Sequence, residues 1–150
     1  MIQRIQTVFL FFAFLFTGLL FFIPYAGFVA GDIYSVSFLG IISANGVAQI
    51  QQPYWLTAIG TVIAIMILIT IFLFKNRKLQ MKMTLFSLIA AIALNGAMFL
   101  VVNNYKSILA SEPVYKVGFV FPLIAAIFLF LAYRSINKDE QLIKSLDRLR

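Results

Sequence analysis

The sequence predicts an all-α transmembrane protein, a four-helix bundle with both termini on the cytoplasmic side. Three observations predict it. Hydrophobic residues make up 63% of the 150 and charged residues 11%, where a soluble domain carries about 25% charged; mean hydropathy is +1.00. Four apolar segments approach the ~20 residues that a spanning helix needs. The basic residues, finally, are distributed unevenly between the segments that connect them.

The spans read as about 5–23, 54–74, 83–102 and 115–134, in one membrane domain covering 1–150. The first apolar run is too long for a signal-peptide core, and Pro24-Tyr25-Ala26 suits cleavage poorly, so the first span is expected to be retained. Between the spans lie a long loop at 24–53, a short basic loop at 75–82 and a short polar loop at 103–113, with a tail at 135–150. Ten basic residues (Arg4, Lys75, Arg77, Lys78, Lys82, Arg134, Lys138, Lys144, Arg148 and Arg150) fall on one side, against Lys106 and Lys116 on the other. By the positive-inside rule the ten are cytoplasmic, and the first and third loops face outward. Tyr25, Tyr54, Trp55, Tyr105 and Tyr115 fall at the outer boundary and Tyr133 at the inner one, as expected of aromatic belts.

The first outward loop has strand character. Tyr34, Val36 and Phe38 alternate with Ser35 and Ser37 across 33–39, and Asn45-Gly46 suits a tight hairpin turn. A small antiparallel hairpin or sheet of two or three strands is expected over the outer mouth of the bundle. This layout resembles the claudin-like architecture, but the paired cysteines of that family's loop are absent.

Close helix packing in lipid uses small residues. Candidates are Ala13, Thr17 and Gly18; Thr57, Thr61 and Ala64; Ser87, Ala91, Ala93 and Ala97; Gly118, Ala125 and Ala126. Asn95 is the strongly polar group at mid-span. It is expected to make an interhelical contact, with a threonine of the second span as one partner, because an unpaired amide in hydrocarbon costs several kcal/mol. Pro122 is expected to kink the fourth helix. Ser111-Glu112-Pro113 reads as its start, with Glu112 and Lys116 paired at i, i+4. The phenylalanines of the first span surround it and read as facing lipid or a partner.

No cysteine or histidine is present. Disulfide chemistry, His-ligated haem and Cys- or His-based zinc sites are thereby excluded. No catalytic, metal or cofactor-binding residue is expected, and the chain reads as a non-enzyme. The tail places Leu142, Ile143, Leu146 and Leu149 at helical spacing among charges, an amphipathic cytoplasmic helix. Its expected partners are an anionic inner leaflet or another inner-membrane protein, not nucleic acid.

The chain opens Gln3-Arg4-Ile5-Gln6-Thr7 directly into a span, carries Asp139-Glu140 after the last one and closes on Asp147-Arg148-Leu149-Arg150. With its four-span layout and length it resembles, over the whole chain, the domain-of-unknown-function 4293 family of small membrane proteins of the Bacteroidota. The resemblance implies four spans in a bacterial inner membrane and emphasis on the chain ends. Gln3, Arg4, Gln6, Asp139, Glu140, Asp147 and Arg148 are therefore a candidate contact surface. The expected function is an accessory or scaffold subunit of an inner-membrane complex, in protein translocation, secretion or envelope biogenesis. A small transporter or channel component is the alternative, although no span carries an ionisable group. A lipid-acting enzyme would need clustered ligands or acids, and the outer face offers only Asp32 and Glu112.

Overall fold

The computed structural model describes the backbone of residues 3–43 and 54–147 and the side chains of residues 5–43 and 54–142. In chain order the elements are α1 (Gln3–Leu19), β1 (Ala26–Val29), β2 (Ile33–Val36), β3 (Ile41–Ser43), α2 (Tyr54–Phe72), α3 (Arg77–Leu109), β4 (Val114–Tyr115) and α4 (Phe121–Asp147). Short 3₁₀ turns at Leu73–Lys75 and Val117–Val120 lead into α3 and α4.

The all-α class does not hold. Four helices are joined by a four-stranded antiparallel sheet in the order β3-β2-β1-β4. The sheet is not confined to the first loop, because β4 comes from the third. Its register sets Ala26 opposite Tyr115 and Gly27 opposite Val114, and the Lys116 N–H donates to the Tyr25 carbonyl at 3.0 Å. Ser111-Glu112-Pro113 therefore leads into a strand rather than a helix. Glu112 pairs with Lys106 at 2.8 Å, not with Lys116, whose ammonium donates to Ser35 Oγ at 2.8 Å. Pro122 is the second residue of α4. In a first turn its missing N–H interrupts no helical ladder, so it marks a helix start and not a kink.

Other boundaries move as well. The strand expected across 33–39 stops at Val36, where Ser37 and Gly40 exchange backbone hydrogen bonds of 2.9 and 3.3 Å in a turn. The expected basic loop is mostly helix, since α3 starts at Arg77, with Asn76 Oδ1 accepting from the Leu79 N–H at 3.3 Å as an N-cap. The same helix runs through 103–109, and α4 absorbs the tail as far as Asp147. The Asn45-Gly46 turn lies outside the described residues. Three helical stretches, Tyr54–Lys75, Arg77–Leu109 and Val117–Leu142, are long and apolar enough to cross a membrane, while the apolar part of α1, Ile5–Leu19, is shorter. These lengths and the composition fit a membrane protein.

One spacing organises the bundle. The buried positions are Gln6, Leu10, Ala13, Thr17 and Leu20 on α1 and the turn that follows it. On α2 they are Leu56, Gly60, Ile63, Ile67 and Thr70. On α3 they include Gln80, Thr84, Ser87, Ala91, Leu94, Met98, Val101 and Tyr105, and on α4 Ala125, Leu129, Ala132, Ile136 and Asp139. Each series advances by alternating steps of four and three. That is the seam of a left-handed bundle, in which side chains interdigitate at 3.5-residue spacing. α4 packs most extensively on α1 and α3, and α2 is held less closely. The phenylalanines of α1 contribute beyond the seam. Phe12 and Phe16 stack on Phe128 of α4 at 5.3 and 5.7 Å, while Phe11 and Phe22 stay exposed.

The sheet caps the bundle at the end opposite the start of α1 and the end of α4. Its inner face buries Ala26, Phe28, Val36 and Ile41. Phe38, in the turn before β3, lies against Phe21 and Tyr25, each at 5.6 Å. Two glycines allow the fit. A Cβ on Gly60 would come within 2.8 Å of the Phe38 ring, and one on Gly118 within 2.7 and 2.8 Å of the Pro24 and Ile23 carbonyl oxygens. Thr57 Oγ1 donates to the Phe38 carbonyl at 2.6 Å, fixing the sheet to α2.

Candidate functional site

Polar residues end the seam away from the sheet. Among the described residues, the last buried seam position there is Gln6 on α1, Thr70 on α2, Gln80 on α3 and Asp139 on α4. Gln6 Nε2 donates to Asp139 Oδ2, tying α1 to α4. Gln80 Nε2 donates to the Thr70 carbonyl at 3.1 Å, tying α3 to α2. One step further in, Thr84 Oγ1 donates to the Gln80 carbonyl at 2.8 Å. Both glutamine amides thus find acceptors within the bundle.

The structure brings together two of the seven terminal candidates, Gln6 and Asp139. Glu140 is half-buried beside them and makes its own interaction. Gln3 and Arg4 lie in the first turn of α1 and Asp147 ends α4, but their side chains lie outside the described residues, as does Arg148. Gln80 and Thr70 were not singled out from the sequence. Their signal is the four-three spacing, which continues from the apolar seam into polar residues.

Asn95 makes an interhelical contact, but not with a threonine. Its Nδ2 donates to the Phe119 carbonyl at 2.8 Å, in the 3₁₀ turn before α4. The reason is Pro122. A 3₁₀ bond to that carbonyl would come from residue 122, which has no N–H, and the Asn95 amide supplies a donor instead.

At the sheet end the antiparallel register aligns a second set of residues. Val29 faces Ile33 across β1 and β2, Ser35 faces Ile42 across β2 and β3, and Gly27 faces Val114 across β1 and β4. Alternation puts Val29, Ile33, Ile42 and Val114 on the outer face, where they are 66%, 58%, 66% and 59% exposed. The Lys116 side chain crosses this face above Gly27 to reach Ser35. Tyr25, expected in the outer aromatic belt, is instead fully buried under the sheet. Its hydroxyl has no hydrogen-bond partner among the described residues. Burial, with a smaller contribution from the nearby Tyr105 phenol, raises its pKa well above the usual phenol range and keeps it neutral. Tyr105 too is buried rather than in the belt, whereas Tyr54 and Trp55 are exposed.

The geometry offers a buried polar layer at one end of the bundle and, at the other, an exposed sheet face of four apolar side chains crossed by Lys116. Among the described residues no group of three or more His, Cys, Asp or Glu could hold a metal ion. The family model described as "Domain of unknown function (DUF4293)" matches residues 2–149. No curated protein matches the chain.

Proposed function

The chain belongs to the domain-of-unknown-function 4293 family, and we propose that it is a non-enzymatic accessory or scaffold subunit of a larger inner-membrane assembly, docking a partner protein on its sheet. The observation that carries this reading is the outer sheet face. Val29, Ile33, Ile42 and Val114 project from one side of a sheet whose other side is already used against the helices. Exposed apolar side chains gathered on one face outside the bilayer, here around the Lys116–Ser35 pair that crosses it, are characteristic of protein contacts. The assembly is one of protein translocation, secretion or envelope biogenesis.

In this reading the protein is a bacterial inner-membrane protein with four spans and both ends in the cytoplasm. α1 serves as the fourth span because its buried series is part of the same seam. The basic residues at the helix ends away from the sheet, Lys75, Arg77, Lys78, Lys82, Arg134 and Lys138 among them, support that orientation.

The test is extraction of the tagged chain in gentle detergent, with native electrophoresis and mass spectrometry. A stoichiometric complex is expected. It should be lost in Ile33→Glu with Ile42→Glu, while insertion and melting temperature stay unchanged because both positions are exposed. A partner-free, monodisperse protein that moves a solute in liposomes would overturn the proposal.

A further inference from the structure

Between α1 and the α2–α3 turn, beside the Gln6 and Gln80 layer, lies a groove of about 640 Å³. That is within the range of small-molecule sites, roughly 300–1,000 Å³. Its lining is mostly apolar, from Val8 and Phe11 on one side and Ile71, Phe72 and Phe74 on the other, and it includes Thr7 and Arg77 as well as the two glutamines. Arg77 is half-buried in the first turn of α3, and no described carboxylate pairs with it. Lys75 and Lys78 flank it in sequence. A mostly apolar groove lined by a guanidinium that no described carboxylate pairs with, at the end of two apolar spans, matches one molecule that every membrane supplies.

We propose that the groove holds an acyl chain of an anionic phospholipid, with the lipid phosphate on Arg77. A guanidinium presents a fork of donors that fits phosphate oxygens, and basic pockets between spanning helices bind lipid headgroups. A zwitterionic lipid would bring its own ammonium to the guanidinium and lose that match. An apolar partner helix would leave Arg77 uncompensated. The site rests on the membrane-spanning reading and is independent of the docking surface on the sheet.

The experiment places a fluorescent reporter in the groove. Trp55, at the sheet end, is the single tryptophan. In vesicles of mixed phosphatidylcholine and phosphatidylglycerol, Phe74→Trp in a Trp55→Phe background reports on the groove alone. At equal mole fraction, brominated phosphatidylglycerol should quench it as though enriched about fivefold over brominated phosphatidylcholine, the factor for one basic residue at a lipid surface. Arg77→Gln should abolish the preference. Arg134→Gln, an exposed cation of α4 outside the groove, should preserve it. Equal quenching by the two lipids, or equal loss in both variants, would overturn the site in favour of unspecific surface charge. Native mass spectrometry of the otherwise unaltered chain with added phosphatidylglycerol is the second measurement. One bound lipid, lost in Arg77→Gln, supports the site; none, or binding unaffected by Arg77→Gln, overturns it.

Discussion

Gly118 has a demanding position. Its missing Cβ leaves room for two backbone carbonyls, those of Ile23 and Pro24, which are fixed by the start of the sheet. Backbone cannot rotate aside as a side chain can, so Gly118→Ala is expected to cost about 1–3 kcal/mol, as overpacking does. Gly96, with nothing within 4 Å of its would-be Cβ, is the control. Gly96→Ala should be neutral, or stabilising by up to about 1 kcal/mol from helix propensity. Melting of the purified variants in one detergent separates the two outcomes. The sequence marked Gly118 as small and near a helix, which is correct, but for the wrong neighbour. A glycine that admits a distant carbonyl has the same letter as one that admits a helix, and only the pairing of β4 with β1 distinguishes them.

Among the elements, α1 and α4 are joined at their far ends by Gln6 and Asp139. Both are nearly fully buried, so removing one partner strands the other. Gln6→Leu alone is expected to destabilise by about 1–3 kcal/mol, whereas Gln6→Leu with Asp139→Leu should recover most of that loss, because replacing both polar groups removes the unsatisfied acceptor. A double-mutant cycle from denaturant unfolding in micelles measures the coupling, and simple additivity of the two single changes would refute it. The apolar runs behind α2, α3 and α4 were plain in the sequence, being long and uncharged. The ends were not. Arg77-Lys78-Leu79-Gln80 looks like a loop by its charges, yet its residues are good helix formers and Asn76 caps them. Val114–Tyr115 is too short for an alternating pattern to register, and its strand exists only because β1 offers an edge.

On the scale of the molecule, charge and shape agree. The sheet end carries Lys106 and Lys116, engaged with Glu112 and Ser35, and the other described basic residues, Lys75, Arg77, Lys78, Lys82, Arg134 and Lys138, lie away from the sheet. A cysteine-free chain allows a direct check. Asp32→Cys, beside the β1–β2 turn, and Lys78→Cys, in the first turn of α3, should react with a membrane-impermeant maleimide from opposite sides of intact cells or inverted vesicles. Labelling from the same side would refute the four-span arrangement. Composition alone disclosed the membrane character, and the alternation around Tyr34 disclosed strand propensity. That the segments after α1 and after α3 would be stitched into one sheet was not legible, because no local pattern reports a pairing between residues so far apart in sequence.

That stitching imposes an order of events on biogenesis. In the proposed topology β1 reaches the outer side soon after α1, but one of its edges is closed only by Val114–Tyr115, after α2 and α3 have been made and just ahead of the last helix. Until then the Ala26–Gly27 edge lacks its partner strand. A ribosome stalled before β4 would therefore leave a half-built protein displaying a strand-hungry edge, a state that quality-control proteases can recognise and the finished molecule hides.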